Sequence, residues 1–310
     1  MIQSYRSEDF PSIPALATLK REQGETISVV IPAHNEASTI GNIVSVVRER
    51  LVLPGLVDEI VVMDDGSDDT TSDVARDAGA EVVRVQGCAP HVDACGKGAA
   101  LWKSQFVTFG TIMVFIDSDL LDFSEHFVAG LAGALLRERK LEFVKASYRR
   151  PLVASATTID DGGGRVTELL VRPLLSCFLP QLSDLHQPLA GEYAVRRSTV
   201  ETMHFYSGYG VEMGLLLEYY FTFGVAAIGQ VDLGKRTHRN RTLTELSPMS
   251  FEVAQVLFDY LDEQKYCIIR HPRNTIMKLM ESGVWKTSRY DDVRLPSKRF
   301  TEGEIESHGT

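Results

Sequence analysis

The chain has 310 residues, 44% of them hydrophobic and 24% charged. These are the proportions of a folded globular protein and exclude a chain-wide disordered or fibrous character. A total of 32 Lys and Arg against 42 Asp and Glu leaves a formal charge of −10. That balance excludes duplex nucleic-acid binding as the main activity, since such binders carry a strongly basic face, but it leaves room for a local basic pocket. No apolar run approaches the ~18 residues of a membrane helix. The polar start, residues 1–11, lacks the apolar stretch of a signal peptide, so a cytoplasmic protein is expected. Cys88, Cys95, Cys177 and Cys267 form no CxxC pair and no zinc spacing. They are expected as reduced thiols, most simply as small buried apolar side chains.

In chain order, residues 1–26 are polar and mixed and are expected to be a leader packed on the outside. Residues 27–32 form a short β-branched run, which predicts a buried strand. Ser38 or Thr39 can cap the helix that follows, where Ile40, Ile43, Val44 and Val47 recur at helical spacing. Residues 59–63 predict a second strand, 70–78 a helix, 81–85 a third strand, 98–109 a helix and 111–116 a fourth strand. This alternation implies a parallel sheet with helices on both faces. In such sheets ligands bind beyond the carboxyl ends of the strands. Those ends carry His34, Asn35 and Glu36, then Asp64 and Asp65, then Asp117 and Asp119, so three polar clusters are expected to line one crevice. The second half is less regular. It predicts a strand at 143–148, a helix from 165 to about 179 kinked by Pro173, a helix at 209–223, a strand at 226–233 and a helix at 250–263. From about Thr287 the tail is polar, expected to be disordered or to wrap a partner.

Several segments carry chemistry. Asp117-Ser118-Asp119 is a common kind of triplet, but it ends a buried strand, where carboxylates are costly unless neutralised. A divalent cation would neutralise them, and hard oxygen ligands suit Mg2+ or Mn2+; helix capping or a turn explains the same residues. Asp64-Asp65-Gly66-Ser67 is too acidic to hold a phosphate by charge. Its oxygens can accept hydrogen bonds from a nucleobase imide or a ribose, or can serve a turn. Gly96-Lys97-Gly98 sets a lysine between glycines before a helix, a good pyrophosphate environment, although the full phosphate-binding loop is absent. Gly162-Gly163-Gly164-Arg165-Val166-Thr167 exposes backbone N–H groups at a helix start and adds two donors. It suits a small phosphorylated or carboxylated anion, or is a flexible loop. In 237–241, His238 can complete a metal shell while Asn240 and Arg241 bind an anion, although a lone histidine is more often surface or core.

The strand end at 32–36, the acidic turn at 64–70 and Asp117-Ser118-Asp119 together resemble the GT-A glycosyltransferases. Narrower likenesses lie in Gly96-Lys97-Gly98, 115–120, Tyr148-Arg149-Arg150-Pro151, 162–169, Gln187-Pro188-Leu189, Gly191-Glu192-Tyr193, 208–212 and His238-Arg239-Asn240-Arg241. These are similar to the glucosyl-3-phosphoglycerate synthases, over about residues 25–245. The resemblance implies an α/β GT-A fold, a Rossmann-like, mostly parallel sheet flanked by helices, with a C-terminal acceptor-binding and dimerisation part. It divides the chain into a leader (1–26), a nucleotide-sugar-binding half (27–122), an acceptor-binding half (123–245) and a C-terminal helical extension with a tail (246–310). It implies that Pro32, Ala33, His34, Glu36 and Asp65 hold the uridine end, with Lys97 on the pyrophosphate and Asp117 and Ser118 on nucleotide and sugar. Asp119 and His238 would bind the cation, Mg2+ or Mn2+. Gly164, Arg165, Val166, Thr167, Asn240 and Arg241 would bind 3-phosphoglycerate. Glu212 would hold sugar hydroxyls, and the Leu189 carbonyl would lie near the anomeric carbon, which makes Asp119, Leu189 and Glu212 the catalytic candidates.

The expected reaction is transfer of glucose from UDP-glucose to 3-phosphoglycerate with retention of configuration. No carboxylate is assigned as nucleophile, which favours attack from the same face as departure. The alternatives are a mannosyl-3-phosphoglycerate synthase using GDP-mannose, a polyprenyl-phosphate transferase, and a nucleotide-sugar sensor without activity. Nucleic acid and stable membrane insertion are not expected; a homodimer is.

Overall fold

The computed structural model describes residues 1–89, 92, 94–149, 152–154, 157–159, 164–236, 242–281 and 283–298. The amino-terminal half runs β1 (Gln3–Arg6), α1 (Ile13–Glu22), β2 (Ile27–Ala33), α2 (Ile40–Val47), β3 (Glu59–Asp64), α3 (Thr71–Ala78), β4 (Glu81–Arg84), α4 (Lys97–Ser104) and β5 (Ile112–Phe115). Then come α5 (His126–Arg137), β6 (Phe143–Arg149), β7 (Leu152–Ala154), β8 (Thr157–Ile159), α6 (Arg172–Phe178), β9 (Tyr193–Arg196), α7 (Arg197–Val200), β10 (Phe205–Tyr206), α8 (Val211–Phe223) and β11 (Ile228–Lys235). The carboxyl-terminal part holds α9 (Leu243–Glu263), β12 (Ile276–Glu281), β13 (Val284–Arg289) and β14 (Arg294–Leu295).

Eight strands form one sheet in the order β1-β11-β6-β9-β5-β2-β3-β4. All neighbours are parallel except β9, which lies antiparallel between β5 and β6. Both faces are covered. Val29, Ile31 and Ala33 of β2 belong to one core layer with α1, α2 and α5, while Val30 belongs to the other with α4, α8 and α9. Burial on both faces is why β2 reads as an apolar run and not as an alternation. Ile40, Ile43, Val44 and Val47 are all buried, one stripe of α2.

Several expectations are corrected. The expected leader supplies an edge strand, β1, paired with β11, and a helix whose Leu16 and Ala17 enter the core. The helix at 98–109 is shorter, as α4. Thr39 precedes α2 but gives it no side-chain cap; its hydroxyl donates instead to the Ser118 carbonyl at 2.6 Å. The helix at 165 widens into a π-helical stretch, Thr167–Val171, before α6, with Pro173 in the first turn of α6. A proline lacks the N–H that a tighter turn would use, and the wider turn absorbs it. The polar tail contributes β14, which pairs with β10 and buries Leu295. Cys88 is buried, but Cys95 and Cys177 are exposed, and all four thiols are free. The β12–β13 hairpin was not anticipated; Val284 and Trp285 on it are exposed.

Candidate active site

The parallel pairing sets the ends of β2, β3 and β5 side by side, with Ala33 opposite Asp64. Hydrogen bonds tie these ends together. His34 Nδ1 lies 2.9 Å from the Asp65 carbonyl, and the Asp65 N–H donates to Ala33 O at 2.9 Å. Asn35 takes a left-handed backbone (φ 58°), and its N–H donates to Ser67 Oγ while its side-chain oxygen accepts from Asp68 N. The Glu36 N–H donates to Thr71 Oγ1 at 2.8 Å. The acidic turn is thus built largely to hold its own backbone. Asp64 is buried and accepts from Ser67 N and Ser72 Oγ. Burial would raise its carboxyl, but those hydrogen bonds outweigh it and hold Asp64 below the usual range. Asp65 Oδ2 accepts from Gly96 N at 2.8 Å, whereas buried Asp65 Oδ1 has no partner among the described residues. That orphan acceptor suits an imide or hydroxyl donor of a ligand.

Behind this rim lies a dense charge network. Lys97 opens α4 and its Nζ stands 2.7 Å from both Asp117 Oδ1 and Glu212 Oε1. Both contacts are ion pairs, and the first is also a hydrogen bond. Burial would lower the ammonium, but the two carboxylates raise it well above the ordinary lysine value. Asp117 is pushed up by burial and pulled down further by Lys97 and Arg236, so it stays ionised. Gly191 is obligatory beside it, because any Cβ there would collide with the Asp117 carboxylate.

Arg236 was not anticipated as a site residue. It follows β11 and is almost fully buried, with NH2 at 2.9 Å from Asp117 Oδ2, 3.1 Å from Asp119 Oδ1 and 3.2 Å from Glu192 Oε1. Its NH1 donates to Tyr148 Oη at 2.8 Å, and Tyr148 donates to Glu192 Oε2 at 2.7 Å. Lys145, three residues before Tyr148 on β6, is also buried. Its Nζ donates to Ala190 O at 2.5 Å and lies over the Phe143 and Tyr193 rings. Burial pulls its ammonium down to about 7, against the opposing pull of Glu212, Glu192 and Asp117. The signal for these residues was faint: charged or polar side chains on strands otherwise apolar, with Tyr148 and Glu192 inside segments already singled out.

The remaining expected residues fall as follows. His34, Asp65, Lys97, Asp117, Asp119 and Glu212 are linked by the contacts above, while Pro32, Ala33, Glu36 and Ser118 are their neighbours in the chain. Leu189 lies in the turn closed by Ala190 N to Gln187 O at 3.0 Å, two residues before Gly191. Gly164 adjoins the same turn, since a Cβ there would lie 3.7 Å from Gln187 Oε1. Arg165 and Val166 are half-buried at the start of the helix and Thr167 is buried. His238, Asn240 and Arg241 lie outside the described residues, as do Gly162 and Gly163. Among the described residues no group of three His, Cys, Asp or Glu is placed for a metal. Of the expected pair of cation ligands, Asp119 is described and offers the hard oxygen that Mg2+ or Mn2+ takes. Asp119 is a carboxylate at a strand end with 36% of its side chain exposed, and His238 comes two residues after Arg236.

The model of Glycosyl transferase family 2 matches residues 28–150. The glucosyl-3-phosphoglycerate synthase of Mycolicibacterium smegmatis is 48% identical over 235 residues, 76% of this chain and 77% of that one. The solved mannosyl-3-phosphoglycerate synthase of Rubrobacter xylanophilus superposes with a TM-score of 0.87 at 34% identity, covering 96% of this chain and 97% of that one. The Mycobacterium tuberculosis glucosyl-3-phosphoglycerate synthase, solved with Mn2+, UDP-glucose and phosphoglyceric acid, gives 0.85 at 38% identity, covering 97% and 99%. A sheet of this order, a charge network at its strand ends and this degree of identity lead to one conclusion: the chain belongs to the glucosyl-3-phosphoglycerate synthase family of GT-A glycosyltransferases.

Proposed function

We propose that this protein transfers glucose from UDP-glucose to the 2-hydroxyl of 3-phospho-D-glycerate, releasing UDP and retaining the anomeric configuration. The observation that carries the reading is the network in which Lys97 and Arg236 stand among Asp117, Asp119, Glu192 and Glu212 at the carboxyl end of the sheet. The crystallised relative from M. tuberculosis, which holds UDP-glucose and phosphoglyceric acid together, supports it.

In this reading Pro32, Ala33, His34, Glu36 and Asp65 take the nucleoside, with Asp65 Oδ1 as the waiting acceptor. Lys97 neutralises charge that grows on the leaving diphosphate. Asp117 and Ser118 hold the nucleotide and sugar, and Glu212 the sugar hydroxyls. Gly164, Arg165, Val166 and Thr167, with Asn240 and Arg241, hold the acceptor's anionic groups. Asp119 and His238 would hold Mg2+ or Mn2+, which would supply Lewis-acid neutralisation of the same diphosphate. Asp117 and Glu212 are both engaged by Lys97, which disfavours either as a nucleophile and supports attack from the departing side, the Leu189 carbonyl lying near the anomeric carbon. The acceptor's proton then passes to the leaving phosphate, and positioning supplies much of the rate.

The test is UDP or GDP release with 3-phosphoglycerate, offering UDP-glucose, GDP-glucose and GDP-mannose, each with Mg2+ or EDTA. Release from UDP-glucose that needs both acceptor and metal is expected. Asp119→Asn should abolish it, and Arg165→Ala should raise the KM for 3-phosphoglycerate roughly tenfold through loss of a charge-assisted contact. An unchanged KM would remove Arg165 from the acceptor site. The likeness to the Rubrobacter enzyme favours a second reading, a mannosyl transferase, and a preference for GDP-mannose would select it. Among the described residues no helix is long and apolar enough to cross a membrane. The four free thiols support a cytoplasmic enzyme, and the exposed Val284 and Trp285 of the β12–β13 hairpin support a homodimer.

A further inference from the structure

The loop from Ser207 to Gly210 connects β10 to α8 and delivers Glu212 to the site. It also touches the other end of the Lys97–Glu212 pair, because Ala99 N of α4 donates to Ser207 O at 3.0 Å. One loop therefore positions both partners of that ion pair.

The carboxyl-terminal part grips this loop from outside. Ser207 N donates to Val293 O at 3.0 Å, and Val293 N donates to Ser207 Oγ at 3.0 Å. The Asp292 carboxylate packs against Gly208, whose N–H lowers it, and Ser207 Oγ donates to its Oδ1 at 3.5 Å. Glu252, from α9, accepts from the Tyr209 N–H at 2.8 Å. Two successive residues of the loop are thus packed against two carboxylates from positions 40 residues apart in sequence. The fit is tight, since any Cβ at Gly208 would run into the Asp292 carboxylate.

We propose that Glu252 and Asp292 are positioning residues for catalysis: together they clamp Gly208 and Tyr209, and through that loop they set the Lys97–Glu212 geometry. The proposal rests on the assignment of Glu212 and Lys97 to the donor sugar and diphosphate. The groups acting on Glu252 are burial first, then Asp292 from the segment before β14 and Glu212 from α8, against the Tyr209 N–H; its carboxyl is pushed up to about 7. Tyr290 also lies in the field of both acids. Asp292 is raised by burial and by Asp291, against the Gly208 and Ser207 hydrogen bonds. An ionised Glu252 holds the Tyr209 N–H more strongly than a neutral one, so that one hydrogen bond strengthens as pH rises through about 7.

The experiment compares full-length wild type, Glu252→Ala, Glu252→Gln and Asp292→Asn. Initial rates with UDP-glucose and 3-phosphoglycerate are taken from pH 5.5 to 8.5, alongside hydrogen exchange of the peptide spanning 207–212. Glu252→Ala should lower kcat about tenfold with little change in the KM for 3-phosphoglycerate. Glu252→Gln keeps an acceptor oxygen and should restore most of kcat, but the wild-type to Gln rate ratio should rise about threefold across pH 7. Exchange at 207–212 should quicken in Glu252→Ala and in Asp292→Asn. Normal kcat, a flat ratio and unchanged exchange would overturn the proposal, and so would a loss of thermal stability alone. If wild type turns over no donor, the functional reading fails instead, and exchange at 207–212 with its pH dependence still decides whether the clamp exists.

Discussion

On one side of the Lys97–Glu212 pair, Asp117, Asp119 and Glu192 converge on a single guanidinium, that of Arg236. On the other side, Glu252 is raised by burial and by Asp292, Asp292 by burial and by Asp291, and among the described residues no lysine or arginine acts on either. Both clusters are taken out of water, yet their carboxylates behave oppositely. Asp117 is driven down and stays charged, whereas Glu252 and Asp292 are driven up. Burial always penalises the charged form; a cation within hydrogen-bonding distance reverses that penalty, and two backbone N–H donors do not. The first cluster carries permanent charge at the strand ends, where the proposed reading puts the diphosphate and the metal. The second carries a conditional charge on the loop behind it.

The largest way to break the contrast is Arg236→Ala. It leaves three carboxylates around one empty position and should cost about 3–5 kcal/mol in denaturant unfolding at neutral pH. A loss below 1 kcal/mol would mean that the network is better solvated than its burial indicates. Lys145 gives the next effect. Folded, it holds its proton only below about 7; unfolded, it holds it up to 10.5. Between those values the unfolded chain binds more protons, so stability should rise with pH across that window. Lys145→Met should flatten the rise, measured as unfolding free energy at pH 7.5 and 9.5. The smallest effect belongs to Glu252, raised from 4.5 to about 7. Here the folded chain binds more protons than the unfolded one, so its contribution is full below 4.5 and is lost as pH rises through 7. Because this side chain is only partly buried, the change is about 1 kcal/mol or less. Glu252→Gln should remove it, and an unchanged pH slope would show that Glu252 is ionised throughout.

Much of the first cluster was legible in the sequence because its residues sit at strand ends. A strand announces itself by a β-branched run, and the residue after the run is placed by the sheet's geometry. His34, Asp65 and Asp117 needed no tertiary information beyond the parallel order. Lys97 was legible through the glycines around it. Arg236 was not, since it closes a strand far along the chain and its three carboxylate partners come from β5's end and from Glu192. Lys145 was hidden by lying within a strand whose other residues are core. Glu252 and Asp292 looked like ordinary helix-surface and tail acids, and nothing in their neighbours signals that both point at one loop.

Periodicity and punctuation are local, so the amino-acid sequence by itself determined the alternating α/β order, the apolar strands and the candidate phosphate- and cation-binding segments. Its motifs were enough to indicate the family. Only the tertiary structure decided that the first residues form an edge strand, that β9 runs against its neighbours, and that the tail returns to pair with β10. Only the tertiary structure also decided which buried charges meet a cation and which must take up a proton. The physical reason is the same in each case. Burial and Coulomb energies depend on distances between residues remote in the chain, and no local pattern encodes those distances.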